Sequence, residues 1–325
     1  RMTRRVREAR TRGRRRASRG AARAAPPRAS ECRDRDSATL RATSRRDATR
    51  RDARDAMRDD ATPDAVEFRG VDDLGRDVGT HEAFWAEVAK KRSHGADGSK
   101  PTFYAKGIEY WDGVAPDVDG VLGGFAHVSA PDARDNAKLL EDLRGRGRGG
   151  AKANGTKTTA LDCGAGVGRV TSTFLIEKFD EVDLVEPCRH FLDAAAADAL
   201  VRGDGRADGH RAKRFVAEPL ESFVPERERY DVIWIQWCIG HLTDDDFVAF
   251  LRRCKDGLRE NGVIVMKENN AASGFILDLE DSSITRSHEY LLHIINRTGM
   301  RCLEHRLQTG FPPELFAVRM YVIVP

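Results

Sequence analysis

The fold of this chain is set by the stretch Thr159-Ala160-Leu161-Asp162-Cys163-Gly164-Ala165-Gly166-Val167-Gly168-Arg169-Val170. A short apolar run ends in an acid, three glycines alternate with small residues, and an apolar pattern of helical spacing begins. This order predicts a buried strand, a tight turn and a helix N-terminus. Because glycines lack Cβ atoms, a ligand can lie against the backbone N–H groups of such a turn.

The spacing of the glycines limits which kinds of ligand this turn could bind. Gly164, Gly166 and Gly168 match neither the G-x-G-x-x-G pattern of dinucleotide-binding turns nor a P-loop, which ends in G-K-[ST]. Arg169 follows directly and could hold a carboxylate through two charge-assisted hydrogen bonds. S-adenosylmethionine carries such a carboxylate. Another nucleotide, or close packing without a ligand, is an alternative for this turn taken alone.

Charge is distributed unevenly along the 325 residues. Residues 1–60 contain 21 arginines, no lysine and 9 acidic residues, which gives this segment a net charge of +12. Residues 61–325 contain 34 basic and 43 acidic residues, a net charge of −9, so that the chain as a whole carries +3. The acidic body disfavours a nucleic-acid surface and favours a cationic substrate.

The N-terminal segment has the composition of a tail. Residues 1–60 nearly lack aromatic residues, so we expect disorder. An organelle transit peptide and a nucleic-acid-binding arm are alternatives, as is a mistranslated or incomplete upstream part with Met57 as the true start. Residues 61–100 stay polar, with a helical patch over 81–92. We therefore predict a disordered tail over 1–100 and one domain over 101–325.

The cysteines and the hydropathy profile bear on the compartment. The six cysteines are scattered without a C-x-x-C pair, which predicts a reducing environment, no zinc or other metal site and no disulfide framework. No apolar run approaches the ~18 residues that a membrane-spanning helix needs. We expect a soluble protein of the cytoplasm and nucleus, or of a plastid or mitochondrion if the tail is a transit peptide.

Strands and helices alternate from residue 158 onward, which is typical of a doubly wound parallel sheet with helices on both faces. Strands are predicted at about 158–162, 182–186, 213–216, 230–236, 262–268, 301–308 and 316–323. Helices are predicted near 135–144, 168–178, 188–201, 244–259 and 284–297, with an exposed linker at 145–155. One of the last two strands should insert antiparallel, because no clear helix separates them. The ligand site of such a sheet lies at the carboxyl ends of its strands.

Aromatic residues at helical spacing precede this sheet, from Phe103 to Trp111. Some of them fit an amphipathic helix that packs on the core. Tyr110-Trp111, which is followed by a Gly-rich turn, is more typical of a lid over a pocket.

Polar side chains follow the predicted strand ends. Glu186 comes 24 residues after Asp162, at a place where an acid accepts hydrogen bonds from a ribose diol. A solvent-exposed acid is the alternative. Leu220 and Glu221, after the third strand, are placed to border an adenine ring.

The fourth strand leads into Trp237 and His241. Trp237 projects beyond the strand and could stack on a substrate ring. His241 can exchange a proton near neutral pH, although an isolated histidine is more often structural. The strand lacks the Asn/Asp-Pro-Pro-aromatic motif that grips a base amino group, which argues against nucleobase methylation.

An acidic run, Asp278-Leu279-Glu280-Asp281-Ser282-Ser283, follows the fifth strand. A solvated loop is the simpler interpretation of such a run. A carboxylate cluster on the face that holds His241 and Trp237 would attract a cationic substrate and could take a proton from it.

Several long motifs resemble those of the alpha-N-terminal protein methyltransferases, which act on N-terminal Xaa-Pro-Lys/Arg. They are Tyr110-Trp111, Val118–Gly124, Leu161–Arg169, Asp231–Asp244, Phe250–Lys255 and Ile276–Ser283. The resemblance covers about 101–325 and implies a seven-stranded class I methyltransferase (Rossmann-like) sheet with an N-terminal helical lid. It also implies S-adenosylmethionine as cofactor and, as partners, protein tails that begin Xaa-Pro-Lys/Arg once the initiator Met is removed. No membrane or specific nucleic-acid partner is expected.

The resemblance also implies roles for individual residues. Asp281 and His241 would act as bases, and Asn269 would orient the amino terminus. Cofactor contacts fall on Gly164, Gly166, Arg169, Glu186, Leu220, Glu221 and Gln236. Peptide contacts fall on Tyr110, Trp111, Leu122, Val128, Trp237, Asp278, Ser283 and Phe316. Glu221 stands where the family often has Gln, and Phe316 where Tyr is expected.

Two alternatives to this function stay open in the sequence. One is a class I methyltransferase that acts on a small molecule or a nucleic acid. The other is a catalytically inactive binding protein with the same fold, against which the presence of Arg169, His241, Asn269 and Asp281 argues.

Overall fold

A computed structural model describes residues 66–93, 102–150 and 157–325. The predicted disorder of residues 1–60 and part of the predicted linker at 145–155 lie outside the described residues. The strands are β1 (Arg69–Asp72), β2 (Asp77–Thr80), β3 (Thr159–Cys163), β4 (Glu181–Val185), β5 (Arg211–Val216), β6 (Tyr230–Gln236), β7 (Leu258–Asn270), β8 (Phe275–Leu277), β9 (Ile284–Arg286), β10 (Arg301–Leu307) and β11 (Ala317–Val324).

The α-helices of the same residues are α1 (His81–Ser93), α2 (Thr102–Asp112), α3 (Val118–Val121), α4 (Ser129–Gly145), α5 (Ile176–Lys178), α6 (Arg189–Ala197), α7 (Ala199–Arg202), α8 (Asp244–Gly257) and α9 (His288–Arg297). Two 3₁₀ turns cover Ala126–Val128 and Ile239–His241, and a π-helical turn, Thr171–Leu175, leads into α5. Within the described part of the chain, no helix has both the length and the apolar composition needed to span a membrane.

Seven strands form the main sheet in the order β10-β11-β7-β6-β3-β4-β5. β3 lies between β4 and β6 and pairs parallel with both. β4 also pairs parallel with β5, and β6 with β7. β11 pairs antiparallel with both β7 and β10, which confirms the predicted antiparallel insertion. The strand order reverses at β3, and a crevice at the carboxyl ends of such a reversal point is where open α/β sheets bind ligands.

The core lies on both faces of this sheet. Along β6, Ile233 and Ile235 pack into one hydrophobic cluster, whereas Val232 and Trp234 pack into the other. Successive side chains of a strand point to opposite faces, so a strand covered by helices on both sides is apolar throughout. This explains the apolar runs in the central strands β6 and β7, and it confirms the doubly wound fold.

The folded part begins before the predicted boundary at residue 101. β1 and β2 pair antiparallel, β1 pairs parallel with β8, and β8 pairs antiparallel with β9, which makes a second sheet in the order β2-β1-β8-β9. α1 matches the predicted helical patch, but the two strands were not predicted. The buried positions of β1 are Gly70 and Asp72, while Val71 is exposed. The strand therefore carries no alternating apolar pattern from which it could be predicted.

Three predicted helices differ in detail from the observed ones. The helix expected at 284–297 begins only at His288, because residues 284–286 pair as β9 and the Ser287 side chain caps the helix by accepting from the Tyr290 N–H. The helix expected at 188–201 is divided where Asp198 caps α7. The helix expected at 135–144 starts earlier, at Ser129.

Candidate active site

The glycine turn after β3 is tightly packed against the end of β6. Gly164, Gly166 and Gly168 all have positive φ, at 64°, 54° and 76°. A Cβ on Gly164 would lie 2.5 Å from the Cβ of Cys238, and one on Gly168 would lie 2.8 Å from the methyl groups of Val201. At these two positions both the backbone conformation and the close approach require glycine.

A cavity opens beside this turn at the carboxyl ends of β3, β4 and β6. The residues predicted to contact a cofactor all line it: Gly164, Gly166, Arg169, Glu186, Leu220, Glu221 and Gln236. The structure therefore brings together seven residues that lie up to 72 positions apart in the sequence. Parallel strands bring their carboxyl ends to one edge, which is why local reasoning could collect this set.

Helix α2 forms the opposite wall of the cavity. Three of the predicted peptide contacts and one predicted base line the same cavity. They are Trp111, Leu122, Trp237 and His241. The wall also includes Phe103, Tyr104, Gly107 and Ile108 of α2, for which the sequence analysis proposed no role at the site. The spacing of these residues along α2 confirms the helical lid.

Glu186 is buried at the edge of the cavity, which rules out the solvent-exposed alternative. Its Oε2 accepts from the N–H of Gly166 and its Oε1 from the N–H of Cys188, both at 2.9 Å. Burial raises the pKa of Glu186 above its ordinary value, against the effect of these backbone donors. The carboxylate is thus held in one orientation beside the glycine turn.

Arg169 is also buried, and it belongs to a charged network that the sequence analysis missed. Its Nη1 donates to Oδ2 of Asp132 at 2.7 Å. Asp132 also accepts from the Nζ of Lys267 and, at 2.9 Å, from the Nε2 of Gln236. Burial raises the pKa of Asp132, but the charges of Lys267 and Arg169 outweigh burial and hold it below its usual range. A lysine within the apolar β7 was the signal that a buried counter-charge must exist.

Trp237 adopts an uncommon backbone conformation directly after β6. Its φ is 57°, a region that bulky residues seldom occupy and that recurs at ligand sites. The guanidinium of Arg169 lies over its ring at 5.1 Å from the centroid. The buried Nε1–H of Trp237 has no hydrogen-bond partner among the described residues. The cation–π contact therefore helps to hold the indole at the cavity in spite of its strained backbone.

His241 is half-buried in the 3₁₀ turn after β6 and contacts the lid. The Nε1–H of Trp111 donates to its Nε2 at 2.9 Å, so that the neutral imidazole carries its proton on Nδ1. Burial lowers the pKa of His241 to about 4. At neutral pH the ring is uncharged.

Asp281 is buried in the loop between β8 and β9. Its Oδ1 accepts from the N–H of Ser283 at 2.9 Å and from the hydroxyl of Ser283 at 2.6 Å. The neighbouring Asp278 accepts from the N–H groups of Glu280 and Asp281, at 2.8 Å and 3.2 Å. Burial raises the pKa of Asp281 to about 6, and the charge of Asp278 raises it further. This carboxylate is a proton acceptor whose pKa lies close to neutrality.

The lid, the His241 turn and the acidic loop meet at one place. A Cβ on Gly107 of α2 would lie 3.2 Å from Nδ1 of His241 and 3.4 Å from the carbonyl oxygen of Asp281. A Cβ on Gly240 would lie 3.4 Å from the Cβ of Ser283. The two predicted bases are therefore neighbours of the same point on the lid, next to the cavity.

Other predicted peptide-site residues do not line the cavity. Asn269 is half-buried in β7 opposite Val318 of β11, and Phe316 is half-buried just before β11. Val128 is buried in its 3₁₀ turn, and Tyr110 packs edge-on against the ring of Trp111 at 5.2 Å. Their contacts with a peptide stay predictions.

The described residues contain neither a disulfide bond nor a cluster of side chains suited to a metal ion. Cys163, Cys188, Cys238, Cys254 and Cys302 are all free thiols. No group of three or more His, Cys, Asp or Glu side chains in these ranges is arranged to hold a metal ion.

Comparison with known proteins links this geometry to a family. Residues 99–324 match the family model described as AdoMet dependent proline di-methyltransferase. Over 237 residues the chain is 45% identical to alpha N-terminal protein methyltransferase 1 of Oryza sativa subsp. indica, which covers 73% of this chain and 76% of that protein. Over 221 residues it is 42% identical to N-terminal Xaa-Pro-Lys N-methyltransferase 1 of Homo sapiens, which covers 68% of this chain and 95% of that protein.

A solved structure agrees with the sequence comparisons. A SAM-dependent methyltransferase from Leishmania major matches with a TM-score of 0.67 and 31% sequence identity. The match covers 81% of this chain and 98% of the Leishmania chain.

Proposed function

The chain belongs to the AdoMet-dependent proline di-methyltransferase family, and from this we propose that it methylates the α-amine of proteins that begin Xaa-Pro-Lys or Xaa-Pro-Arg once the initiator Met is removed. The observation that carries the proposal is that Gly107, a residue of the lid that lines the cavity, lies beside Nδ1 of His241 and beside the backbone carbonyl of Asp281. A cofactor site and a buried carboxylate that can take a proton are what methyl transfer to an ammonium requires.

The residues of the cavity fit S-adenosylmethionine. The bound cofactor supplies an electrophilic methyl group on a sulfonium. Arg169 would hold its carboxylate, Glu186 its ribose diol, and Leu220 would lie against its adenine. The cation, the acid and the apolar wall thus match the three chemical parts of the molecule.

The α-amine must lose a proton before it can react. An α-amine has a pKa of about 7.7–8.0, so at neutral pH it is mostly protonated and lacks a free lone pair. Asp281, with its pKa raised to about 6 by burial, accepts this proton and becomes a neutral acid. The amine nitrogen then has its lone pair available for the methyl group that a bound cofactor would supply. Asp281 is better suited to this step than His241, because burial lowers the imidazole pKa to about 4.

The same loop accounts for a basic residue at the third position of the substrate. The loop carries three carboxyl groups within four residues, on Asp278, Glu280 and Asp281. Residues 61–325 as a whole carry a net charge of −9. A Lys or Arg side chain of the peptide would be attracted to Asp278 and Ser283. The face of Trp237 offers an apolar surface for the second-position proline.

The test is mass spectrometry of a Ser-Pro-Lys peptide after incubation with the enzyme and S-adenosylmethionine. We expect methyl groups on the terminal nitrogen, located by fragmentation. The same peptide with an acetylated terminus should gain none, because its amide nitrogen has no basic lone pair. Methyl groups on the lysine side chain, or equal methylation of the acetylated peptide, would disprove the proposal.

A further inference from the structure

The segment Phe68–Ser93, which precedes the family match at 99–324, is joined to the strands that carry the acidic loop. β1 pairs in register with β8, with Gly70 opposite Phe275 and Asp72 opposite Leu277. The N–H of Asp73 donates to the carbonyl of Leu277 at 2.9 Å. Leu277 directly precedes Asp278, so that β1 supports the residue where the acidic loop begins.

Two glycines allow the close approach of β1 and β8. A Cβ on Gly70 would lie 2.3 Å from the ring of Phe275, which is itself buried. Gly274 has a φ of 50°, and a Cβ there would lie 1.7 Å from the carbonyl oxygen of Arg69. Side chains at either position would push the strands apart, so this contact is specified by the sequence.

Aromatic side chains of the same segment pack on Tyr290 of α9. The ring of Phe68 stacks on that of Tyr290 with 4.2 Å between centroids and an interplanar angle of 5°. The Nε1–H of Trp85 donates to the Tyr290 hydroxyl at 3.3 Å, and the Trp85 ring meets Phe103 of the lid edge-on at 5.3 Å. The segment therefore contacts both α9 and the lid.

Tyr290 in turn belongs to the group that holds the His241 turn. Its hydroxyl donates to Oδ2 of Asp244 at 2.6 Å, and Nη2 of Arg286 donates to Oδ1 of the same carboxylate at 2.8 Å. The Arg286 guanidinium also donates to the carbonyls of Ile239 and Leu242, at 3.2 Å and 2.7 Å. These carbonyls flank His241, and Asp244, Arg286 and Tyr290 are all buried.

We propose that Phe68–Ser93 is a positioning element of the peptide site, which holds the acidic loop and the His241 turn in register with each other. This inference rests on the proposed function. No residue of the segment lines the cofactor cavity, whose predicted contacts lie at or after the carboxyl ends of β3, β4, β5 and β6. Displacing the segment should therefore weaken the peptide site and leave the cofactor site intact.

The experiment uses the full chain with the substitution Gly70→Ala, which places a methyl group against Phe275. We expect the KM for a Ser-Pro-Lys peptide to rise at least about fivefold, since small misplacements of site residues are costly. The affinity for S-adenosylhomocysteine, measured by calorimetry without turnover, should stay unchanged. Gly145→Ala is the matched control, because a Cβ at Gly145 meets no atom within 4 Å.

Two further variants keep the test decisive if Gly70→Ala folds poorly. Trp85→Phe removes the donor to the Tyr290 hydroxyl, together with part of the aromatic surface, and should also raise the peptide KM. Combining Gly70→Ala with Phe275→Leu removes the ring that the methyl group meets and should restore part of the peptide affinity.

The outcomes separate this inference from the proposed function. If the wild-type chain does not methylate the peptide, the proposed function fails before any variant is made. If Gly70→Ala leaves the peptide KM unchanged, or weakens peptide and cofactor binding equally, the positioning role is wrong. A loss that appears only with peptides much longer than three residues would indicate direct contact and would also overturn it.

Discussion

Burial shifts the pKa values of the two side chains proposed to take a proton in opposite directions. It favours the uncharged form of each group, so the pKa of Asp281 rises to about 6 while that of His241 falls to about 4. Near neutral pH Asp281 is ionised and close to its pKa, whereas His241 is neutral and accepts from Trp111. The pair thus offers one proton acceptor and one neutral neighbour that does not repel an arriving ammonium.

Asp281→Asn should abolish the proton acceptor. We expect kcat/KM for a Ser-Pro-Lys peptide to fall by about 10²–10⁴-fold, the usual contribution of a positioned base, while cofactor affinity is retained. In the wild-type enzyme kcat/KM should decline as the pH falls below about 6, where Asp281 takes up a proton. A steady-state pH series of the wild type and variant measures both.

Glu280→Gln is the control for this series. It removes the same charge from the same loop, but the Glu280 side chain is exposed. We expect its kcat to stay within about twofold of the wild type, as is usual for exposed substitutions. If Asp281→Asn and Glu280→Gln behave alike, the loop acts only through its net charge and Asp281 is not the acceptor.

Glu268 should make the stability of the protein depend on pH. Its Oε1 accepts from the N–H of Asn269, but its buried Oε2 has no partner among the described residues. Burial raises its pKa from an ordinary value of 4.5 to about 7. Between these two values the unfolded chain releases a proton that the folded chain retains, so the free energy of unfolding falls as the pH rises, by roughly 1.4 kcal/mol per pH unit.

Glu268→Gln should remove this contribution. Urea unfolding at pH 5 and pH 8 should show a smaller difference between the two conditions in the variant than in the wild type, with the variant gaining stability at pH 8. Glu260→Gln is the matched control, because Glu260 is exposed on the same strand. An unchanged pH dependence in Glu268→Gln would mean that Glu268 is not the group that titrates.

At the scale of helices and strands, the buried carboxylate of Asp132 on α4 forms hydrogen bonds with the segment after the glycine turn, with β6 and with β7. Asp132 of α4 accepts from Arg169 after the turn, from Gln236 at the end of β6 and from Lys267 of β7. Lys267 is fully buried and also donates to Oδ1 of Asn136 at 2.7 Å. The network fixes the direction of Arg169 at the cavity, and the carboxylate of Asp132 forms an ion pair with both buried cations.

Asp132→Asn should destabilise the protein by about 3–5 kcal/mol, because it leaves two buried cations without a counter-ion. Chemical denaturation measures this loss. Asp193→Asn serves as control, since its ion pair with Arg189 is exposed on both sides and such pairs contribute little. Adding Lys267→Met to Asp132→Asn should recover part of the stability. If the double variant is no better than the single one, uncompensated charge is not the cause.

Across the entire chain, charge should govern how fast a basic peptide finds the site. The body from residue 61 onward carries a net charge of −9, and long-range attraction of this kind is screened by salt. We expect the KM for Ser-Pro-Lys to rise roughly two- to fivefold as NaCl is raised from low to physiological levels and above. The KM for S-adenosylmethionine should change less, because its contacts are buried. Equal salt dependence of the two constants would contradict this.

Local patterns along the chain were enough to predict the main sheet and the glycine turn, and the family resemblance completed the set of predicted cofactor contacts. Apolar runs mark strands that are covered on both faces, and the three glycines mark the turn after β3. The predicted cofactor residues lie at the end of a parallel strand or in the segment that follows one, and parallel strands bring such positions to one edge of the sheet. The seven predicted residues line one cavity there because this placement can be read within a few residues of each position.

Other features arise only when distant segments come together. Trp111 and His241 are 130 residues apart, and Asp132 and Lys267 are 135 apart. β1 was missed because its buried positions are a glycine and an aspartate, which have no apolar signal. The pKa values of Asp281, His241 and Glu268 depend on how much water the surrounding fold excludes. Burial and pairing of this kind are properties of contacts, and no short stretch of sequence contains both partners of a contact.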